Sequence, residues 1–150
     1  MSQAVSPVDA GQTYMELHHR LHRTVDQAMC AAGLSLARAK VLMRLEAHGP
    51  MNQATLAGLL GFAPRTVTET VDGLERDGLL SRNEDPHDRR ARIVSLTPSG
   101  REALAVANAV RSTTMDEIFG VLSPTERAQL VSLLTTIRTN LSQGDNSCVH

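Results

Sequence analysis

His18 and His22 stand four residues apart, one helical turn, which puts two imidazoles on a single face where they can ligate a metal. His19 lies beside them, while His48, His87 and His150 are distant in sequence. No third ligand completes a tetrahedral set, so no metal is expected and the pair reads better as hydrogen-bonding groups in a pocket. Cys30 and Cys148 make no disulfide framework for a chain of 150 residues. No basic residue lies within the turn before Cys30, since Arg23 is seven positions away, so nothing in the sequence lowers the thiol pKa and Cys30 reads as a small buried hydrophobe. Of the methionines, Met15 and Met43 are adaptable enough to line a ligand pocket, with core filling as the plainer use. There is no Gly-rich phosphate loop, nucleophile elbow or metal-protease helix, so neither catalysis nor a cofactor is expected. Fourteen of the fifteen basic residues are Arg, with Lys40 the only Lys. Arg offers a planar fork of donors suited to phosphates and guanine edges, although a genome rich in G and C gives the same bias.

These side chains must be carried by a mostly helical frame. Apolar residues make up 41% and charged residues 21%, as in a globular chain. Aromatics are only 2%, namely Tyr14, Phe62 and Phe119, so the core must come from Leu, Val, Ala, Met and Ile. Tyr14, Leu17, Leu21, Val25 and Ala28 recur at helical steps, with Gly33 as a stop. Ser35 can cap a second helix with Leu36, Ala39, Leu42 and Met43 inward, closed by Gly49-Pro50. Asn52 can cap a short third helix ending at Gly61, and Pro64 suits the first position of a fourth, whose buried stripe is Val67, Val71 and Leu74. Two short helices joined by a Gly-containing turn form a helix-turn-helix pattern. Leu79 to Arg82 and Ala91 to Thr97 read as strands around a polar loop from Asn83 to Arg90, which makes a hairpin or wing. Thr97 with Pro98 opens a long helix to Phe119, and Ser123-Pro124-Thr125-Glu126 is a capping box for a last helix through Leu130, Val131, Leu134, Ile137 and Leu141.

The stretch MNQATLAGLLGFAPRTVTETVDGLERDGLLSRNEDPHDRRARIVSLTPSG, from Met51 to Gly100, resembles the MarR family. Its most specific part is Asp85-Pro86-His87-Asp88-Arg89-Arg90, followed by Val94-Ser95-Leu96-Thr97 and Gly100. The resemblance implies a mainly α fold with a small β-hairpin wing, a winged helix-turn-helix flanked by N- and C-terminal dimerisation helices. It implies a homodimeric, DNA-binding transcriptional regulator, a repressor on an inverted-repeat operator, modulated by a small aromatic or phenolic effector. On that view residues 10–32 and 98–141 form the helical dimerisation region, 33–97 the winged helix-turn-helix region, and 1–9 and 142–150 flexible tails. The alternatives are a winged-helix protein-interaction module without DNA binding, or a redox-responsive regulator using Cys30.

The fourth helix then presents Arg65, Thr66, Thr68 and Glu69 near its exposed start, where a recognition helix meets base edges. Arg65 can hold guanine through two donors, Thr66 or Thr68 can touch phosphate or a thymine methyl, and Glu69 can accept from cytosine. At the wing tip sit Asp88, Arg89 and Arg90; by resemblance, Asp88 orients Arg90, and Arg90 enters the minor groove. Seven Arg face seven acids between Ala63 and Arg101, so this region has no net basic patch. His18, His22, Met15 and Met43 are the candidates for an effector pocket. With no signal-like start and no long apolar run, the chain is expected to be cytoplasmic, with no membrane partner.

Overall fold

The computed structural model describes residues 4–145, and these divide after Ser112 into two compact units. The first unit opens with α1 (Pro7–Ala31), α2 (Leu36–His48), β1 (Met51–Asn52), α3 (Gln53–Leu60) and α4 (Pro64–Arg76). It continues through β2 (Leu80–Glu84) and β3 (Arg92–Leu96) into α5 (Pro98–Phe119).

Helix α1 begins at Pro7, three residues before the expected start, and the first nine residues are therefore not all tail. The cause is a capping box: the Asp9 amide donates to Ser6 Oγ at 3.1 Å, and the Ser6 amide reaches Asp9 Oδ2 at 3.3 Å. Only Val25 and Met29 of α1 are buried, while Tyr14 and Leu17 of the same stripe remain about half exposed. At the other end Asp26 Oδ1 accepts the Leu36 amide at 2.8 Å, tying α1 to the start of α2.

The caps read from the sequence form as expected around the helix-turn-helix. The Arg38 amide donates to Ser35 Oγ at 3.3 Å, and the Thr55 amide donates to Asn52 Oδ1 at 2.8 Å. Gly61 takes a left-handed φ of 65°, which ends α3 and lets the chain turn directly into α4. Pro64 supplies the first position of α4, whose cap residue Ala63 offers no side-chain acceptor. Val67, Val71 and Leu74, one side of α4, are fully buried against a core that includes Leu42, Leu56, Leu80, Val94 and Leu104.

The sheet has three strands in the order β1-β3-β2, both pairings antiparallel. Strand β1 has only two residues, pairing Met51 with Val94 and Asn52 with Ile93. It closes one edge of β3 and buries Met51, and it was not expected. Strand β2 starts one residue after and ends two residues beyond the expected Leu79 to Arg82, and β3 is one residue shorter at each end than Ala91 to Thr97, with Leu80 opposite Leu96 and Glu84 opposite Arg92. Thr97 joins hairpin to helix: its hydroxyl donates to the Gly78 carbonyl at 2.7 Å and accepts the Gly100 amide at 3.0 Å. Gly100 is the one residue that fits there, since a Cβ would stand 2.0 Å from the Leu79 carbonyl oxygen.

The second unit holds the end of α5 and α6 (Pro124–Asp145). The Ser123 amide donates to Glu126 Oε2 at 2.7 Å, and the Glu126 amide donates to Ser123 Oγ at 3.3 Å, which is the predicted capping box. Helix α6 runs four residues past the expected end at Leu141, so the start of the expected C-terminal tail is helical. Cys148 and His150 lie outside the described residues. Val131, Leu133, Ile137 and Leu141 on α6 are each more than half exposed. Among the described residues no helix is long and apolar enough to cross a membrane.

Candidate nucleic-acid interface

With Val67, Val71 and Leu74 facing the core, the opposite side of α4 projects outward. Arg65, Thr66, Thr68 and Glu69 are all exposed there. Arg65 Nε donates to Glu69 Oε1 at 2.8 Å, an i,i+4 ion pair on the outer surface. The Thr68 hydroxyl is already committed, donating to the Pro64 carbonyl at 3.1 Å and accepting Gln53 Nε2 at 3.2 Å. Gln53, the first residue of α3, thus braces α3 to α4, a role that sequence spacing of fifteen residues did not suggest.

The acids further along α4 are matched from elsewhere in the fold. Arg82 of β2 pairs with Asp72, and its Nε lies 3.7 Å from Glu75 Oε2. Arg38 of α2 pairs with Asp77 and also donates to the Gly73 carbonyl at 3.3 Å, at the end of α4. Both arginines are largely covered, their side chains 26% and 21% exposed, so these pairs are less screened than surface ones. Each of the four acids from Glu69 to Asp77 therefore has an Arg partner. Arg76, Arg89, Arg90 and Arg101 belong to none of the described ion pairs. The equal count of Arg and acid hides this sorting: the acids along α4 are paired with arginines, Asp85 and Asp88 bond backbone amides, and four arginines stand outside the described ion pairs.

At the wing tip Asp88, Arg89 and Arg90 are all exposed. Asp88 Oδ1 accepts the backbone amide of Arg90 at 2.9 Å, and Asp85 Oδ1 accepts the amide of His87 at 2.8 Å. Two such side-chain-to-backbone turns shape the loop in the absence of regular pairing. Asp88 thus contacts the Arg90 backbone rather than its guanidinium. The loop closes where the Asp85 amide meets the Ala91 carbonyl at 3.2 Å.

The candidate effector residues lie on α1 and α2. Met15, His18 and His22 are exposed on α1, with Tyr14 stacked on His18 at 5.9 Å between ring centroids and His22 tilted 6.4 Å from His18. Met43 is half-buried on α2, where its Sδ lies 3.9 Å from Arg111 Nη1. None of the four lines the cleft of about 380 Å³ between α2 and α4, which is walled by Arg38, Thr70, Gly73 and Arg76 among others. Cys30 is exposed, not buried as expected, because it sits in the last turn of α1 on the solvent side. Its thiol pKa is raised, by local desolvation and then by the Asp26 carboxylate 3.8 Å from Sγ.

Comparison with known proteins agrees with this architecture. Residues 34–91 match the model of the MarR family. The chain is 35% identical over 94 residues to the Uncharacterized HTH-type transcriptional regulator YkoM of Bacillus subtilis, covering 63% of this chain and 61% of that protein. It therefore spans about three fifths of that relative's length. A MarR-family transcriptional regulator from Rhodococcus sp. RHA1 superposes with a TM-score of 0.74 at 28% identity, over 91% of this chain and 96% of the other. BpsR of Bordetella bronchiseptica, whose DNA binding is regulated by 6-hydroxynicotinic acid, superposes with a TM-score of 0.73 at 26% identity, over 86% and 98% of the two chains. Residues 34–91 thus match the MarR family model, and the chain as a whole is similar in sequence and fold to winged helix-turn-helix transcriptional regulators.

Proposed function

We propose that this chain is a cytoplasmic, homodimeric DNA-binding regulator that represses transcription from an inverted-repeat operator and responds to a small aromatic or phenolic effector. The observation that carries the reading is the sorting of charge: exposed Arg65 on α4 and exposed Arg89 and Arg90 on the wing, with the α4 acids held by partners. Helix α4 supplies base-edge contacts through Arg65 and Thr66 and is braced through Thr68, while Arg89 and Arg90 reach an adjacent minor groove on a loop shaped by Asp88. The reading is of binding rather than catalysis. Dimerisation is supported by apolar side chains left in solvent on α1 and on α6, where covering each half-exposed Leu, Ile or Val is worth about 1 kcal/mol. The aromatic effector draws support from the Bordetella relative.

A redox function for Cys30 is disfavoured, because a raised thiol pKa leaves less thiolate for oxidation. Against the interaction-module alternative, the α4 acids Glu69 and Asp72 both have Arg partners. A gel shift against the DNA upstream of the chain's own gene, with light scattering on the free protein, tests the proposal. A dimer that retards this DNA and not an unrelated duplex supports it. A folded monomer at micromolar concentration, or no retardation of any duplex, contradicts it.

A further inference from the structure

On the DNA-binding reading above, the pair at the start of α4 has a more specific role. Arg65 and Glu69 are 89% and 65% exposed, and an exposed i,i+4 ion pair adds little to helix stability. The atom through which they meet is informative. Nε is the inner donor of the guanidinium, and it is the atom that donates to Glu69 Oε1 at 2.8 Å. With Nε engaged, the two terminal nitrogens remain as a fork, the arrangement that pairs with O6 and N7 of guanine. The contact also restrains a long, otherwise free side chain in the outward direction. Glu69, with one oxygen taken and its charge offset, is a poorer acceptor for a cytosine amino group than the sequence alone suggested. The other α4 acids are held by arginines from β2 and α2, whereas Glu69 is held by an arginine of α4 itself, on its outer face.

We propose that Glu69 is a positioning residue that presents Arg65 to guanine, so that the two act as one specificity unit rather than as two independent readers. The test is selection of preferred duplexes from random DNA by the full-length wild type and by Arg65→Ala, Glu69→Ala, Glu69→Gln and the Arg65→Ala/Glu69→Ala double variant. Thermal midpoints of all five proteins are measured in parallel. The wild type should enrich a guanine at one position of each half-site. Arg65→Ala should lose about tenfold of that discrimination, within the range of a bidentate contact. Glu69→Ala should lose part of the discrimination at the same position, and the double variant should be no worse than Arg65→Ala. Glu69→Gln should keep part of it, since the amide oxygen still accepts from Nε, and thermal midpoints should be unchanged. The proposal is overturned if Glu69→Ala loses preference at a different position with multiplicative losses in the double variant. It is equally overturned if Glu69→Ala tightens binding to all sequences with preference intact. Failure of the wild type to enrich any duplex overturns the DNA-binding reading itself and this role with it.

Discussion

On α4 and at its C-cap each acid from Glu69 to Asp77 has an arginine partner, three of them paired with Arg38 or Arg82 from other elements. At the wing tip Arg89 and Arg90 have no such partner among the described ion pairs, and the order there comes from Asp85 and Asp88 bonding backbone amides. One region pairs its acids with arginines; the other carries exposed arginines outside the described ion pairs, on a short loop shaped by Asp85 and Asp88. The difference separates two tasks that DNA binding requires. On the proposed function, phosphate attraction and minor-groove insertion need free positive charge, which Arg89 and Arg90 of the wing would supply. Base reading needs fixed donors in fixed places, which Arg65 held by Glu69 would supply.

Breaking the wing should have the largest effect. Arg90→Ala should lower affinity for a preferred duplex by about 1–3 kcal/mol, measured by fluorescence anisotropy at fixed salt, with the dimer still folded. Cutting the tie between the two regions comes next. Arg82→Ala should free Asp72 and Glu75 beside the DNA-facing surface and cost about 1 kcal/mol in both thermal stability and DNA affinity, since Arg82 is mostly covered but its partners are half exposed. Asp88→Ala sharpens the comparison from the other side. It removes a turn bond but no positive charge, so affinity should fall by about 0.5–1 kcal/mol, less than for Arg90→Ala. The smallest effect is expected at Glu126, far in sequence from both regions. Its carboxyl is held below the usual 4.5 by the Ser123 amide and hydroxyl. A lowered folded pKa gives stability that is present above 4.5 and is lost as pH falls through the lower folded value. Glu126→Gln should therefore be slightly less stable than wild type at pH 7 and equal to it in strong acid, with DNA affinity unchanged throughout.

Much of the frame was legible because its signals are local. The three- and four-residue spacing of Val67, Val71 and Leu74, the Asn52 cap and the Ser123–Glu126 box each act within one or two turns, and each forms as expected. Ser6-Pro7-Val8-Asp9 carries the same kind of signal as Ser123-Pro124-Thr125-Glu126, and its box sets the start of α1 where a tail was expected. Strand β1 was not legible, because two residues have no periodicity and only the edge of β3 makes them a strand. The pairing of charges was hidden for a related reason. Arg38 and Asp77 are 39 residues apart and Arg82 and Asp72 ten, so composition gave the number of charges but not which ones cancel. Cys30 was misplaced because its position near the end of α1 says nothing about which way it faces until α2 has packed.

The central claim is that α4 and the wing together grip duplex DNA through arginine. It is tested most directly by the salt dependence of affinity for the enriched duplex, for wild type and for the Arg89→Ala/Arg90→Ala variant. The wild-type log–log slope should be steeply negative, about −0.9 for each neutralised phosphate with several phosphates per dimer. The variant should be shallower by about two to four contacts per dimer. A wild-type affinity independent of salt, or a variant slope equal to that of wild type, would contradict the account.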